Sequence, residues 1–392
     1  MMKSIKDYSL NNKKVIIRCD FNVPINNNKI SDSTRIVKAL PTIKYAVDNN
    51  AKVILMSHLG KVTKEEDKEK NSLILVKEEL AKLLNKNILF SKNIEGPSLE
   101  EVIDKMKPKD VLLIENTRFS DIPIKRESAC DPSLSKYWAS LADIFINDAF
   151  GTLHREHASN VGISNFLPSA IGFLVEEELT NLEKVKNPEH PFTVIMGGAK
   201  ISDKLELIKH LVDKCDYLLV GGAMAFTFLK SKGYEVGNSL VEDDMLKECK
   251  SLLKKYDSKI ILPIDFSTSK DEDSASYKNT YIYEFLKDDI GFDIGKDTIK
   301  LFNNIINNSK TVFWNGPLGL VEKEEYKKGS FGVLDNLSQQ KVTSILGGGD
   351  IVSFATNEKY EDKLSFLSTG GGATLNYLAG LPLPGLKNIK EK

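Results

Sequence analysis

Short apolar runs recur along the chain: KVIIRCDFNV, AKVILMSHLG, DVLLIENTRF and DIFINDAFG, then FTVIMGGAK, YLLVGGAMA, KIILPIDFS, TVFWNGPLG, SILGGGD and LSFLSTGGG. Between them, segments such as STRIVKALPTIKYAVDN and SLILVKEELAKLL space their apolar residues at helical intervals. Alternation of this kind implies parallel sheets covered by helices on both faces, so the expected fold class is α/β. Many runs end in glycine, a charge or a side-chain amide. That puts the polar chemistry at the carboxyl ends of the strands, where open α/β sheets bind ligands.

A chain of 392 residues exceeds what one core usually serves. The runs divide into a set ending near Gly151 and a set beginning near Phe192. GFLVEEELTNLEKVKN lies between them and reads as a connecting helix, closed by Pro188 and Pro191. The expected domains are 1–171 and 172–375, with the linking helix opening the second. KVTKEEDKEKN and TSKDEDSASYKNT read as solvated loops.

Composition excludes several classes. A net charge of -1 argues against a nucleic-acid binder, which usually carries a broad basic excess. No apolar run reaches the eighteen or so residues of a membrane span, and MMKSIKDYSLNNKKV lacks the apolar segment of a signal peptide, so the expected home is the cytoplasm. Cys19, Cys130, Cys215 and Cys249 form no CxxC pair, which leaves no zinc or disulfide framework to expect.

The 54 Lys+Arg residues include only five arginines, Arg18, Arg35, Arg118, Arg126 and Arg155, all in the amino-terminal half. In a chain so rich in lysine, arginine suits positions where a planar fork grips carboxylate or phosphate. This predicts an anionic ligand on that half. RCDFNVP sets Asp20 and Asn22 on alternate positions of a strand end, so both point to one side. They also suit a turn, and a lone histidine such as His58 of SHLGK is more often a satisfied structural residue. HREH shows no third metal ligand.

The carboxyl-terminal half carries Gly197-Gly198-Ala199-Lys200, Gly347-Gly348-Gly349-Asp350 and Gly370-Gly371-Gly372. None matches GxGxxG or GxxxxGK[ST]. Each follows an apolar run, and the first and third lead toward predicted helices, whose amino-terminal donors favour anions. A plain turn remains the alternative for any one cluster. Three in one domain favour a phosphate-rich ligand, and Asp350 suits Mg²⁺ shared with phosphates.

RCDFNVP, DSTRIVKALPTI, SHLGK, ENTRF, NDAFGTLHREH, GGAKISDKLELI, GGAMAFTFL, VFWNGPLGLVE, GGGD and STGGGATL stand in the order seen in phosphoglycerate kinases, and the chain resembles that family from about residue 5 to its end. The resemblance implies two Rossmann-like domains with parallel sheets, joined by a helix and separated by a cleft. It implies a carboxyl-terminal tail, about 376–392, packing back on the first domain. It also implies 3-phosphoglycerate or 1,3-bisphosphoglycerate on the first domain, ADP or ATP with Mg²⁺ on the second, and a cytoplasmic monomer acting in glycolysis by hinge closure.

Carried over by resemblance, the phosphoglycerate contacts are Asp20, Phe21, Asn22, Arg35, His58, Leu59, Gly60, Lys61, Arg118 and Arg155. The nucleotide side takes Lys200, Lys204 one turn along its helix, Gly291, Asn315, Glu322, Gly348, Gly349, Asp350 and Ile351, with Asp350 organising the metal. Arg35, Lys200, Gly371 and Gly372 are the expected catalytic groups. The chain departs from the family pattern at Lys61, where arginine is usual, and at Ile351, where threonine or serine usually offers a hydroxyl. SDIPIKRESACDP is longer than usual, and DIGKDT lacks a common proline.

The chemistry implied is reversible phosphoryl transfer between an acyl phosphate and ADP. Two other classes share parts of this architecture. A nicotinamide-dependent dehydrogenase calls for GxGxxG with an acidic residue about twenty positions on. A solute-binding protein would share the hinge without the reaction.

Overall fold

The computed structural model describes residues 2–273 and 276–391. The chain forms two compact units, one of Met1–Leu179 with Pro382–Lys392 and one of Thr180–Leu381. The division falls inside the helix Phe173–Lys186, formed by the stretch expected to connect domains.

The first unit contains β1 (Lys14–Cys19), the ribbon β2 (Ile25–Asn26) and β3 (Lys29–Ile30), β4 (Lys52–Met56), β5 (Leu89–Ser91), β6 (Val111–Ile114), β7 (Ile144–Asp148) and β8 (Ser169–Ile171). Six of these form a parallel sheet in the order β5-β6-β4-β1-β7-β8. Its strands are apolar at nearly every position because both faces are covered. Val15, Ile17 and Cys19 of β1 enter one core cluster, whereas Ile16 enters another with Trp138 and Phe145. Arg18 shares the strand parity of Ile16. The tail docks through Lys3 N to Lys390 O at 2.9 Å and Gly385 N to Leu153 O at 2.9 Å.

The second unit contains β9 (Phe192–Met196), β10 (Tyr217–Val220), β11 (Ile260–Ile261), β12 (Asp265–Ser269), β13 (Lys278–Tyr281), β14 (Ile290–Ile294), β15 (Thr311–Asn315), β16 (Thr343–Gly347) and β17 (Phe366–Ser368). Its six-stranded parallel sheet runs β11-β10-β9-β15-β16-β17. Ile195, Val312, Trp314 and Leu346 pack there against Phe302, Val333 and Ile351 from covering helices.

Three features differ from the sequence reading. KIILPIDFS makes two strands, not one: Pro263 separates β11 from β12, which belongs to an antiparallel sheet of order β13-β12-β14. The edge strands β5 and β8 are three residues each, too short for a periodic signal. The expected loop TSKDEDSASYKNT has its ends drawn into β12 and β13 by cross-strand pairing, and Ser274 and Ala275 lie outside the described residues. No helix among the described residues is long and apolar enough to cross a membrane.

Candidate active site

In the first unit the expected contacts gather at the carboxyl ends of neighbouring strands. Asp20 and Asn22 follow β1, His58 follows β4, Arg118 follows β6 and Arg155 follows β7. The order of chain growth reverses between β1 and β7, the position at which doubly wound sheets open a ligand crevice. Arg35 Nη1 donates to Asp20 Oδ2 at 2.8 Å. Gly60 links two further groups: its N–H donates to Asn22 Oδ1 at 2.8 Å, and its carbonyl accepts from Arg118 Nη1 at 2.7 Å. Gly60 sits at φ +60°, a left-handed conformation that favours glycine.

Not every expected contact presents its side chain. Phe21 and Leu59 are core residues, 0% and 3% exposed, and offer a ligand only backbone. Their backbones brace the site, through Phe21 N to Ser57 Oγ at 2.8 Å and Asn116 Nδ2 to Leu59 O at 2.7 Å. Lys61 and Arg155 are exposed.

Positive groups predominate at this edge, beside the carboxyl groups of Asp20, Asp121 and Glu127. Burial, followed by Arg18, Arg118, His157 and Arg155, holds His58 well below its ordinary value. Arg118 is depressed by burial and then by Arg155, and burial and the same arginines push His157 down to about 3. A fully buried carboxyl nearby is Glu127, which burial raises against the lowering influence of Arg18 and Ser159 and which accepts from Ser159 N at 2.9 Å and from the Ser159 hydroxyl. Such crowding of positive groups suits an anion with several oxygens.

The sequence assigns no role to Glu127 or Ser159, names Arg18 only as one of the five arginines suited to an anion, and offers His157 only as half of HREH. Arg18 did carry a signal, since it stands two residues before Asp20 and four before Asn22, the spacing of one face of an extended chain, although β1 itself ends at Cys19. The others join it only through contacts of long sequence separation, such as Arg18 Nε to Ser159 Oγ at 2.8 Å.

In the second unit, a pocket of about 360 Å³ brings together Gly291, Glu322 and Asp350 with Gly198, Gly222, Leu240 and Phe292. Gly291 is small for a packing reason, because a Cβ there would lie 2.1 Å from the Phe226 ring. Lys200, Lys204, Asn315, Gly348, Gly349, Gly371 and Gly372 do not line this pocket. Asn315 Nδ2 donates to Gly347 O at 2.5 Å, tying β15 to the GGGD turn, and its buried Oδ1 has no partner. A larger groove of about 980 Å³ in the first unit, beside Phe90, Phe119, Ile124 and Arg126, contains none of the expected contacts.

The first and second glycine clusters behave differently from expectation, and the third opens a helix as expected. Gly197 and Gly198 do not open a helix. Their N–H groups donate to Asn315 O at 2.8 Å and Pro317 O at 2.7 Å, so they are already engaged, and the helix Leu205–Val212 begins only after Lys204. Lys204 is therefore the residue before the helix rather than one turn along it, and its Nζ folds back onto Gly197 O at 2.6 Å. The second cluster does lead straight into a helix, Gly349–Asn357, with exposed Asp350 in its first turn. Gly370–Gly372 likewise opens Gly372–Leu378. The Ile351 side chain is fully buried in the core, so any nucleotide contact there is limited to backbone.

A single exposed carboxylate beside a helix start fits Mg²⁺ that is held mainly by phosphate oxygens and water. No group of three or more His, Cys, Asp or Glu residues able to hold a metal occurs among the described residues.

Known proteins resemble this chain over nearly its whole length. A phosphoglycerate kinase from Enterococcus faecalis is 48% identical over 394 residues, covering 100% of this chain and 99% of that protein. One from Fusobacterium nucleatum subsp. nucleatum is 49% identical over 398 residues, covering 100% of both. The structure of phosphoglycerate kinase from Coxiella burnetii superposes with a TM-score of 0.90 at 34% identity, covering 99% of this chain and 98% of that one. The crystal structure of the enzyme from Pyrococcus horikoshii gives 0.84 at 29% identity, with coverage of 99% and 98%. Residues 5–381 match the family described as Phosphoglycerate kinase, and the chain belongs to that family.

Proposed function

We propose that the chain catalyses reversible transfer of a phosphoryl group from 1,3-bisphosphoglycerate to ADP, giving 3-phosphoglycerate and ATP, with Mg²⁺ carried on the nucleotide. Kinase activity and a place in glycolysis follow from the family. The observation that carries the substrate assignment is the crowding of His58, His157, Arg118 and Arg155 at the carboxyl ends of neighbouring strands, where burial and the arginines together hold both histidines low. A phosphorylated carboxylate supplies several negative oxygens to an edge where positive groups outnumber Asp20 and Glu127.

The carboxylate of 3-phosphoglycerate is ionised at neutral pH, so the ATP-consuming direction needs no general base. The protein's task is to position the reactants and offset charge. In this reading, Asp20, Asn22, His58, Gly60, Arg118 and Arg155 bind phosphoglycerate, with Phe21, Leu59 and Lys61 adjoining through backbone or charge. Arg35, aimed by Asp20, and exposed Lys200 offset charge on the moving phosphoryl. Gly371 and Gly372 offer it backbone donors at a helix start.

The pocket with Gly291 and Glu322 takes adenine and ribose, while Lys204, Asn315 and Gly348 to Ile351 border the phosphates. Asp350 would hold Mg²⁺, which when bound neutralises phosphate oxygens. With one substrate assigned to each unit, transfer requires the units to come together about the helix Phe173–Lys186, excluding water from the acyl phosphate. A cytoplasmic monomer completes the reading.

The test is a coupled assay of the purified protein. ATP- and Mg²⁺-dependent acyl-phosphate formation from 3-phosphoglycerate supports the proposal. Binding of 3-phosphoglycerate without turnover would point to a solute-binding protein instead.

A further inference from the structure

Arg18 is fully buried at the end of β1, and all three of its side-chain nitrogens are engaged. Nε donates to Ser159 Oγ at 2.8 Å, Nη1 donates to the Cys19 carbonyl, and Nη2 lies 3.2 Å from His58 Nδ1. A guanidinium has five N–H donors, no acceptor, and stays protonated in proteins. The histidine nitrogen facing it must therefore present its lone pair. A neutral imidazole carries one ring proton, so that proton sits on Nε2.

We infer that Arg18 is a positioning residue that fixes His58 in the Nε2–H tautomer, ready to donate to an oxygen of bound phosphoglycerate. The inference rests on the assignment of His58 to that substrate.

The surroundings sustain this arrangement. The Ser159 hydroxyl accepts from Arg18 and donates to Glu127, while Ser159 N donates to the other Glu127 oxygen at 2.9 Å. Glu127, also fully buried, thus supplies a counter-charge through one hydroxyl without competing for the guanidinium face turned to His58. The charged or titratable groups that act most on His58 are Arg18 from β1, Arg118 from the segment after β6, and Arg155 and His157 from the segment after β7, while Glu127 and Asp20 act on Arg18. Those acting most on His58 are all positive or positively titrating, so they oppose a second proton on the ring. An imidazole kept neutral can act as a hydrogen-bond donor through one defined nitrogen only.

The test uses the full chain with ¹⁵N-labelled histidines, five in all, and assigns His58 through His58→Asn. The expected wild-type spectrum has an unprotonated Nδ1 and a protonated Nε2 at His58 between about pH 6 and 8, with Nε2 shifting when 3-phosphoglycerate is added. Arg18→Met should give a mixture of tautomers, a ring that takes up its second proton at higher pH, and a KM for 3-phosphoglycerate raised about tenfold or more, with kcat less affected. Arg18→Lys should recover part of the tautomer preference, since an ammonium also donates. Removing the arginine leaves Glu127 buried without a counter-charge, so Ser159→Ala, which keeps Arg18 but removes the acceptor of its Nε, provides a second variant with the same direction of change. A wild-type His58 protonated on Nδ1, or an unchanged tautomer in folded Arg18→Met, overturns the inference and leaves the substrate assignment standing. An Nε2 signal indifferent to 3-phosphoglycerate defeats the assignment of His58 to the substrate, and the positioning role with it.

Discussion

Lys204 Nζ donates to the Gly197 carbonyl at 2.6 Å, returning the charge to the strand end that the chain has just left. Gly316 and Gly198 make room for it, since a Cβ on either would lie 2.3 Å or 3.0 Å from the ammonium. Burial brings Lys204 down to about 8, with Asp350 the largest opposing influence. The ammonium is therefore charged at neutral pH, and its help to nucleotide phosphates fades as pH rises through about 8. Affinity for MgADP should weaken over that range in the wild type. Lys204→Met should bind about tenfold more weakly at pH 7 and lose the pH dependence.

Stability should move the other way. An unfolded lysine near 10.5 holds a proton that the folded one releases from about 8, so the stability contribution is full above 10.5 and lost as pH falls through about 8. Unliganded Lys204→Met should then melt at the wild-type temperature or above at pH 7. Calorimetry and titration with MgADP read both effects, and a large drop in melting temperature with pH-independent wild-type affinity would refute them.

Arg35 and Lys200 are separable by the same logic. The Arg35 side chain is 38% exposed beside an Asp20 side chain that is 8% exposed, so their ion pair contributes at most about 1 kcal/mol to stability. Arg35→Ala should keep the fold and lower turnover at least about a hundredfold, and Arg35→Lys should recover only part because it lacks the fork. Lys200→Ala should hold nucleotide affinity within about tenfold while lowering turnover at least about a hundredfold. Near-normal steady-state turnover in either alanine variant would remove that residue from the phosphoryl path.

These residues also mark what could be read in advance. Strands buried on both faces announce themselves as unbroken apolar runs, which is why β1, β4, β9 and β15 were legible and the two parallel sheets followed. The antiparallel sheet was not, because DFSTS and KNTY are polar and gain their partners only through pairing. Asp20 and Asn22 stood out because adjacent positions on one strand face are local. The Arg18 network was hidden because Ser159, Glu127 and His58 reach it across long stretches of chain, and burial of an arginine has no local signature. Gly197 and Gly198 escape a local reading for a related reason: their amides are taken by Asn315, at the end of β15, and by Pro317 just beyond it, more than a hundred residues away.

Ile351 offers a test of whether a departure from family pattern costs function. Its side chain is 0% exposed, in the first turn of Gly349–Asn357 and inside the core cluster. Ile351→Thr should restore no nucleotide contact, and it should cost about 2–3 kcal/mol because apolar volume is lost and a hydroxyl is buried. Urea unfolding and the KM for MgATP check the two parts. A KM lowered threefold or more would mean that the hydroxyl does reach phosphate.

Asp148 couples pH to the helix in which the two units divide. It ends β7, is fully buried, and its Oδ1 accepts from Leu174 N at 2.9 Å and Val175 N at 3.3 Å in the first turn of Phe173–Lys186. Gly172 permits the approach, since a Cβ there would lie 2.2 Å from that oxygen. Burial raises Asp148 to about 7, against the lowering influence of Thr42 and the two amides. Below its ordinary 3.8 both folded and unfolded chains hold the proton, and stability is full. From there to about 7 the unfolded chain ionises while the folded one does not, so the contribution falls with rising pH and stays low beyond. Asp148→Asn keeps an oxygen for the amides and removes the titration. It should match the wild type near pH 4 and exceed it at pH 8 by on the order of 1–4 kcal/mol. Urea unfolding of both proteins across that range decides the matter, because an equal slope against pH in both would mean that Asp148 is already ionised where it caps the helix.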